Sequence, residues 1–323
     1  MLYNKKILIT GATGFIGTCL AHRLAERGAE LHLIVRPQSN LWRIKDILDK
    51  ACLHNINLRN KDEVESVVIK LKPKIIYHCA TYGGYHFQKD TNKIFETNII
   101  GTINLLNICS KVGFDCFVNT GSSSEYGIKN EPMKELDVPE PVNDYGVAKA
   151  SSTLFCQSVV RRYQLPIVSL RLFSPYGYYE EHTRLIPSVI MACLRGKNPK
   201  LSSPEPVRDF VFIADVIDAY MKVVGTSDIS GEIFNIGYGE QHSVGEVVGK
   251  IVELTGNKVR PEWESVPKRA NEPNVWQADI TKAKNVLKWE PKYSLEKGLA
   301  KTVKWFMKNM TLYEEIINQE VKL

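Results

Sequence analysis

Residues 6–17, KILITGATGFIG, constrain the fold more than any other stretch of this chain. A short apolar run ends in Gly11, Gly14 and Gly17, and a helix-period stretch over 14–27 begins among them. Ile16, Leu20 and Leu24 fall on one face of it before Gly28 ends the pattern. The same alternation continues down the chain. Runs 31–35, 74–79, 116–119, 166–173 and 233–236 are short, β-rich and bounded by turn residues, with helix-period stretches between them. Near-continuous apolar strands separated by helices make a parallel sheet covered on both faces. The expectation is an α/β fold with a doubly wound parallel sheet.

From about residue 175 the rhythm loosens. The pieces SPYGYYEE, GKNPKLSSPEP and VPKRANEPN interrupt the helices, which predicts a smaller α+β lobe that places loops over a ligand. The run at 233–236 is expected to return to the main sheet. Residues 1–174 plus about 208–240 then form a dinucleotide-binding domain, and about 175–207 with 241–323 the substrate-binding lobe. The last helix, about 294–309, is expected to be capped by Ser294, with a peripheral tail after it.

Composition narrows the class. Hydrophobic residues make up 44% and charged residues 24%, and no run of about 18 apolar residues could span a bilayer. No secretion signal is evident before the first strand. The seven cysteines are odd in number, scattered and without a CxxC pair, which predicts reduced thiols, a cytoplasmic setting, and neither a metal site nor a disulfide framework. A net charge of +6, spread along the chain, suits an anionic small molecule and points to no nucleic-acid or membrane partner.

Gly11, Gly14 and Gly17 permit a tight turn, close approach of a pyrophosphate, and close packing of helix on strand. The phosphates would meet the free N–H groups of the helix. Thr13, Phe15 and Ile16 belong to the same cradle. An acid at the end of the second strand would bind the ribose hydroxyls of NAD, whereas an arginine accommodates a 2′-phosphate. Here LHLIV runs into RPQSN, so Arg36 takes that place, with Ser39 and Asn40 as further donors. NADP(H) is favoured, with NAD as the alternative.

In NDYGVAKAS, Tyr145 and Lys149 are four apart and share a helix face. An ammonium there stabilises phenolate, so the tyrosine can exchange a proton with an alcohol or carbonyl near working pH. The hydroxyl-rich VNTGSSSEYG precedes them. At these residues the chain resembles the extended short-chain dehydrogenase/reductase superfamily, in its nucleotide-sugar epimerase/dehydratase branch. TGATGFIG, HCAT, ETNIIGTINLL, SSSEYG, YGVAK, LRLFSPYG, RDFVFIADV and WQADITKAKNVLKWEPKYSLEKGL carry the likeness across nearly the whole chain.

The resemblance implies a Rossmann sheet with Tyr145 as acid/base. Lys149 would assist it and hold the nicotinamide ribose, and Ser122, five before Gly127, would hydrogen-bond the reacting sugar oxygen. It also implies Asn57 and Leu58 beside the adenine, and Ala80 and Asn98 along the cofactor. Arg208, and more weakly Arg269, would grip the substrate diphosphate, a role that suits a guanidinium fork. Arg208 could instead pair with a carboxylate such as Asp209. Ser123, Ser174, Tyr82 and His86 are further candidate substrate contacts, and the helices at about 92–111 and 144–163 imply a homodimer. Apolar positions such as Ile94, Ile99, Leu105 and Leu106 suit either that pairing or packing on the sheet.

Departures from the family pattern discriminate among reactions. Dehydratases of this branch carry an extra acid after the catalytic hydroxyl, where this chain has Ser123 and Ser124. Glu125 comes one place late, and a one-residue slip points it to the other face. Two reactions remain for a Ser122–Tyr145–Lys149 site acting on a nucleotide-linked sugar. One is NADPH-dependent reduction of a keto-sugar, at C4 of a 4-keto-6-deoxy sugar, which Arg36 favours. The other is 4-epimerisation with retained NAD(P); a 4,6-dehydratase, or a dinucleotide sensor without turnover, is less favoured, the sensor because it needs no Ser122, Tyr145 and Lys149 set.

Overall fold

In the computed structural model, which describes residues 5–267 and 272–320, the first apolar run is strand β1 (Lys6–Thr10) and the glycine turn leads into helix α1 (Phe15–Ala25). Next come β2 (Glu30–Val35), β3 (Ala51–Asn55), α2 (Lys61–Leu71) and β4 (Ile75–His78). Helices α3 (Thr91–Phe95) and α4 (Gly101–Val112) are joined through a π-helical stretch, Glu96–Ile100. Then follow β5 (Cys116–Ser122), α5 (Asp144–Tyr163), β6 (Ile167–Leu172), β7 (Ser174–Tyr176) and α6 (Leu185–Leu194). Strands β8 (Val207–Arg208) and β9 (Phe210–Phe212), helix α7 (Ile213–Val224) and strand β10 (Ile233–Ile236) come next. Strand β11 (His242–Ser243), α8 (Val244–Leu254) and α9 (Leu295–Glu320) complete the order.

The main sheet has seven strands in the order β10-β6-β5-β4-β1-β2-β3, with every neighbouring pair parallel. As expected from the sequence, β10 returns to this sheet. Every residue of β5 and β6 is buried because helices cover both faces. On one face, Leu8, Val64, Val68, Leu105 and Val159 form a core under α2, α4 and α5. On the other, Ile9, Leu20, Leu24 and Val216 join a core that runs on into Ile190, Val248 and Phe306 of α6, α8 and α9. Strand order reverses between β1 and β4, so the carboxyl ends of these two strands open the crevice where ligands bind in such sheets.

Three sequence expectations change. Strand β3, ACLHN, has no apolar run because it is a half-solvated sheet edge. The chain after residue 309 is not a peripheral tail. Helix α9 continues through a kink at Asn309, and Tyr313 is buried, stacked on Phe306 at 4.8 Å and edge-on to Trp42 at 5.3 Å. Leu105 and Leu106 are buried in the core under the sheet, Ile94 is buried against Gly83 of the loop 81–88, and Ile99 is half-buried.

Candidate active site

The two strand ends at the reversal approach as closely as backbone allows. Gly11 has φ +70°, and a Cβ built there would lie 2.6 Å from the Ala80 nitrogen. A Cβ at Gly17 would come 2.3 Å from the Gly11 carbonyl oxygen, so α1 stacks directly on the turn. His78 secures the same junction between Thr10 Oγ1, 2.7 Å from Nδ1, and Thr102 Oγ1, 2.8 Å from Nε2. The Thr102 hydroxyl donates to the Asn98 carbonyl, so it accepts from Nε2, and Nδ1 accepts from Thr10. Burial, and then the charge of Lys149, push the imidazole pKa down to about 3, so His78 is a neutral structural ring.

A cavity of about 320 Å³ opens over this turn. Gly11, Thr13, Gly14, Phe15, Ile16 and Gly17 line it, together with Arg36, Asn57, Leu58 and Ala80. The first turn of α1 carries no acidic side chain and Gly14 offers no side-chain cap, so the free N–H groups remain available to an anion. Bare turn, uncapped helix and neighbouring Arg36 together fit a dinucleotide.

Two expected cofactor residues have protein partners. The Ser39 hydroxyl oxygen accepts the Arg36 N–H at 3.2 Å and shapes the turn after β2. Asn98 does not line the cavity. Its Oδ1 accepts from the Tyr82 N–H and the Thr81 hydroxyl, each at 3.0 Å, and its Nδ2 donates to the Tyr82 carbonyl at 2.7 Å.

Ser122 ends β5, and its Oγ accepts the Ser124 N–H at 3.1 Å while the Glu125 carboxylate accepts the Ser122 N–H at 2.8 Å. Helix α5 starts hard against this turn. Asn143 Oδ1 caps it by accepting the Gly146 N–H at 2.8 Å, and a Cβ at Gly146 would lie 2.5 Å from the Ser124 carbonyl oxygen. Tyr145 and Lys149 project from this helix start, one turn apart. The loop 81–88 packs on Tyr145, since a Cβ at Gly84 would lie 4.0 Å from its hydroxyl, and Gly84, Tyr85 and Gln88 also wall the cavity. Lys149 is 4% exposed, and among the described residues no carboxylate pairs with it.

Glu125 is unavailable for chemistry. It is fully buried in an ion pair with Arg171 at 2.7 Å and also accepts from the Thr153 hydroxyl at 3.1 Å. The strand ends at Ser122, and the 3₁₀ turn Ser123–Glu125, not strand alternation, aims it into the protein.

The expected substrate contacts are less gathered. Arg208 pairs with Glu272 at 2.5 Å and lies over the Trp276 ring at 5.5 Å, so its partner is not Asp209. Asp209 is instead buried, accepting the N–H groups of Tyr238, Gly239 and Ala278, and burial pushes its carboxyl up to about 7 against those hydrogen bonds. Tyr82 lies under the Lys93 ammonium at 4.6 Å. His86 is exposed, edge-on to Phe87. Ser174 joins β7 to β9 by donating its N–H to the Asp209 carbonyl, and Ser123 is buried. None of these five lines the cavity. Arg269 lies outside the described residues.

Sequence reasoning missed the far wall, where Arg43, Glu180 and Arg184 line the cavity. Glu180 is buried with Oε2 lacking a hydrogen-bond partner, and burial pushes its pKa up to about 8. The only sequence signal was the acid pair in YYEE, which does not reveal which acid is inside. A carboxyl raised above its ordinary 4.5 stabilises the fold fully below that value, and the contribution is lost as pH rises through about 8. Ligand-free protein is therefore expected to lose denaturant stability between about pH 4.5 and 8. Asp209 contributes with the same sign and His78, lowered to about 3, with the opposite one up to about pH 6.5, so the diagnostic is a shallower slope in Glu180→Gln; an unchanged slope would remove Glu180 from this role.

Comparison with known proteins agrees with this geometry. Residues 7–237 match the model of the NAD dependent epimerase/dehydratase family. A UDP-glucuronate 4-epimerase of Thermodesulfobacterium geofontis is 27% identical over 321 residues, covering 96% of this chain and 98% of that protein. The structure of a UDP-glucose 4-epimerase from Thermotoga maritima with UDP-glucose superposes with a TM-score of 0.87 at 28% identity, over 94% of this chain and 99% of that one. A UDP-glucuronic acid 4-epimerase from Bacillus cereus, in complex with UDP-glucuronic acid and NAD, gives 0.83 at 28% identity over the same shares. Nucleotide-sugar dehydratases and decarboxylases match over similar lengths. Since that family model spans well over half of its residues, the chain belongs to the NAD-dependent epimerase/dehydratase family of enzymes.

Proposed function

We propose that this protein is a nucleotide-sugar 4-epimerase that acts on a UDP-linked sugar with bound NAD(P). One observation carries the reading: among the described residues of the turn after Ser122 no carboxylate is free to act as a second acid, because Ser123 and Ser124 stand there and Glu125 is tied to Arg171. Elimination needs such an acid, whereas epimerisation needs one proton taken from a hydroxyl and returned to the same oxygen. The similar proteins named as 4-epimerases support the reading. NAD(P) held in the glycine cradle supplies uptake and return of a hydride at the sugar carbon. The Tyr145 hydroxyl takes and restores the sugar hydroxyl proton, and Ser122 donates a hydrogen bond to that oxygen. Lys149 places its positive charge against the tyrosine oxygen and the ribose. Sugar turnover between the two transfers requires space, and the cavity walled by Gly84, Tyr85, Gln88 and Glu180 opens beside the loop that packs on Tyr145.

The test is incubation with UDP-glucose and with UDP-glucuronate, followed by NMR of the sugar at C4. Inversion without net change in NAD(P)H supports epimerisation. Stoichiometric NADPH consumption on a 4-keto-6-deoxy sugar nucleotide would replace it with the reductase, which Arg36 favours as the second reading. Arg36 also supports acceptance of a 2′-phosphate. Arg36→Asp is expected to weaken NADP(H) binding about 10–100-fold, from the worth of charge-assisted hydrogen bonds, while leaving NAD binding near its starting value. Fluorescence titration with both cofactors reads this, and equal losses for the two would make Arg36 an ordinary surface charge. Exposed Ile100, Val147 and Leu154, on the π-helical stretch and α5, support a homodimer.

A further inference from the structure

The outer edge of the main sheet carries a side-chain group that the reaction does not use. His32 on β2 stands in register with Cys52 on β3, and His54 lies two residues further along β3, on the same face. His32 Nδ1 and His54 Nε2 are 3.0 Å apart, and donor atoms of all three residues lie within 4.8 Å of one another. Cys52 is exposed and the two histidines are half-buried, so the group is reached from solvent. We propose that His32, Cys52 and His54 form a binding site for one divalent cation of the zinc class, with a fourth position open to water.

Two imidazole nitrogens and a thiolate are a donor set that zinc takes in preference to magnesium or calcium. Facing nitrogens this close share at most one proton, so at least one lone pair already points into the gap. Two nitrogens bound tetrahedrally at 2.0–2.1 Å stand about 3.3 Å apart, so the rings part by a few tenths of an ångström and each turns so that its lone pair meets the ion and not the other nitrogen. The ladder between β2 and β3 fixes all three Cα positions, leaving side-chain rotation as the only adjustment. Glu30 supplies an outer partner: its carboxylate lies 3.3 Å from His32 Nε2, the nitrogen not needed for the metal. Lys70 of α2 directs positive charge toward His54, and Glu30 counters it at His32. The ion would clip the edge strand to β2, away from Tyr145.

The experiment uses the full chain, stripped with a chelator and titrated with Co(II) as a spectroscopic probe, then with Zn(II). Expected are one equivalent bound, a thiolate-to-cobalt charge-transfer band, and a rise in thermal midpoint with Zn(II). Cys52→Ser removes the charge-transfer band. His54→Gln weakens binding at least about tenfold and Glu30→Gln about tenfold, from the usual worth of ligands and their outer partners. Absence of saturable one-equivalent binding overturns the site, as does binding that survives unchanged in both Cys52→Ser and His54→Gln.

Discussion

Replacing Tyr145 by phenylalanine is expected to lower kcat about 10²–10⁴-fold, the usual worth of a positioned acid–base group. The ring is half-buried against Gly83 and Gly84, so loss of one hydroxyl leaves the packing of α5 and the loop 81–88 in place. Cofactor and nucleotide-sugar affinities should therefore stay within a few-fold of the parent, separating a chemical loss from a binding loss. Lys149→Met should differ in kind, lowering both kcat and NAD(P) affinity, because the buried ammonium is assigned to the tyrosine oxygen and the ribose together. Single-turnover rates and equilibrium titrations distinguish the two. A Tyr145→Phe enzyme that kept more than about a tenth of the rate would move the proton transfer elsewhere, given the expected magnitude.

The second large effect is on stability and lies at Glu125. Glu125→Leu leaves the Arg171 guanidinium, 2% exposed, without its counter-charge, and breaking such a pair costs about 3–5 kcal/mol. The cost is not confined to one bond. Glu125 also accepts the Ser122 N–H and the Thr153 hydroxyl, while Arg171 lies over the Tyr126 ring at 4.5 Å and donates to the Glu135 carbonyl. The denaturant midpoint reads this directly. Glu125→Gln, which keeps an acceptor oxygen, should cost less and retain turnover in proportion to folded protein. The opposite pattern, intact stability with activity abolished, would return Glu125 to an acid–base role and reopen elimination as the reaction.

The parallel sheet, the glycine turn after β1 and the shared helix face of Tyr145 and Lys149 were legible from residue order alone. These depend on local rules: strands buried on both faces read as apolar runs, a backbone crossing admits only glycine, and positions four apart on a helix share a face. β3 and the end of α9 escaped because a half-solvated edge and a kinked helix have weak periodicity. How polar groups pair across long separations was settled by the packing of the folded chain. Arg208 meets Glu272 and not its neighbour Asp209, Glu125 meets Arg171, Asn98 ties down the loop at Tyr82, and Glu180 is buried with an oxygen left over. Burial cost and hydrogen-bond geometry govern each choice, and both depend on which segments the sheet brings together rather than on distance along the chain.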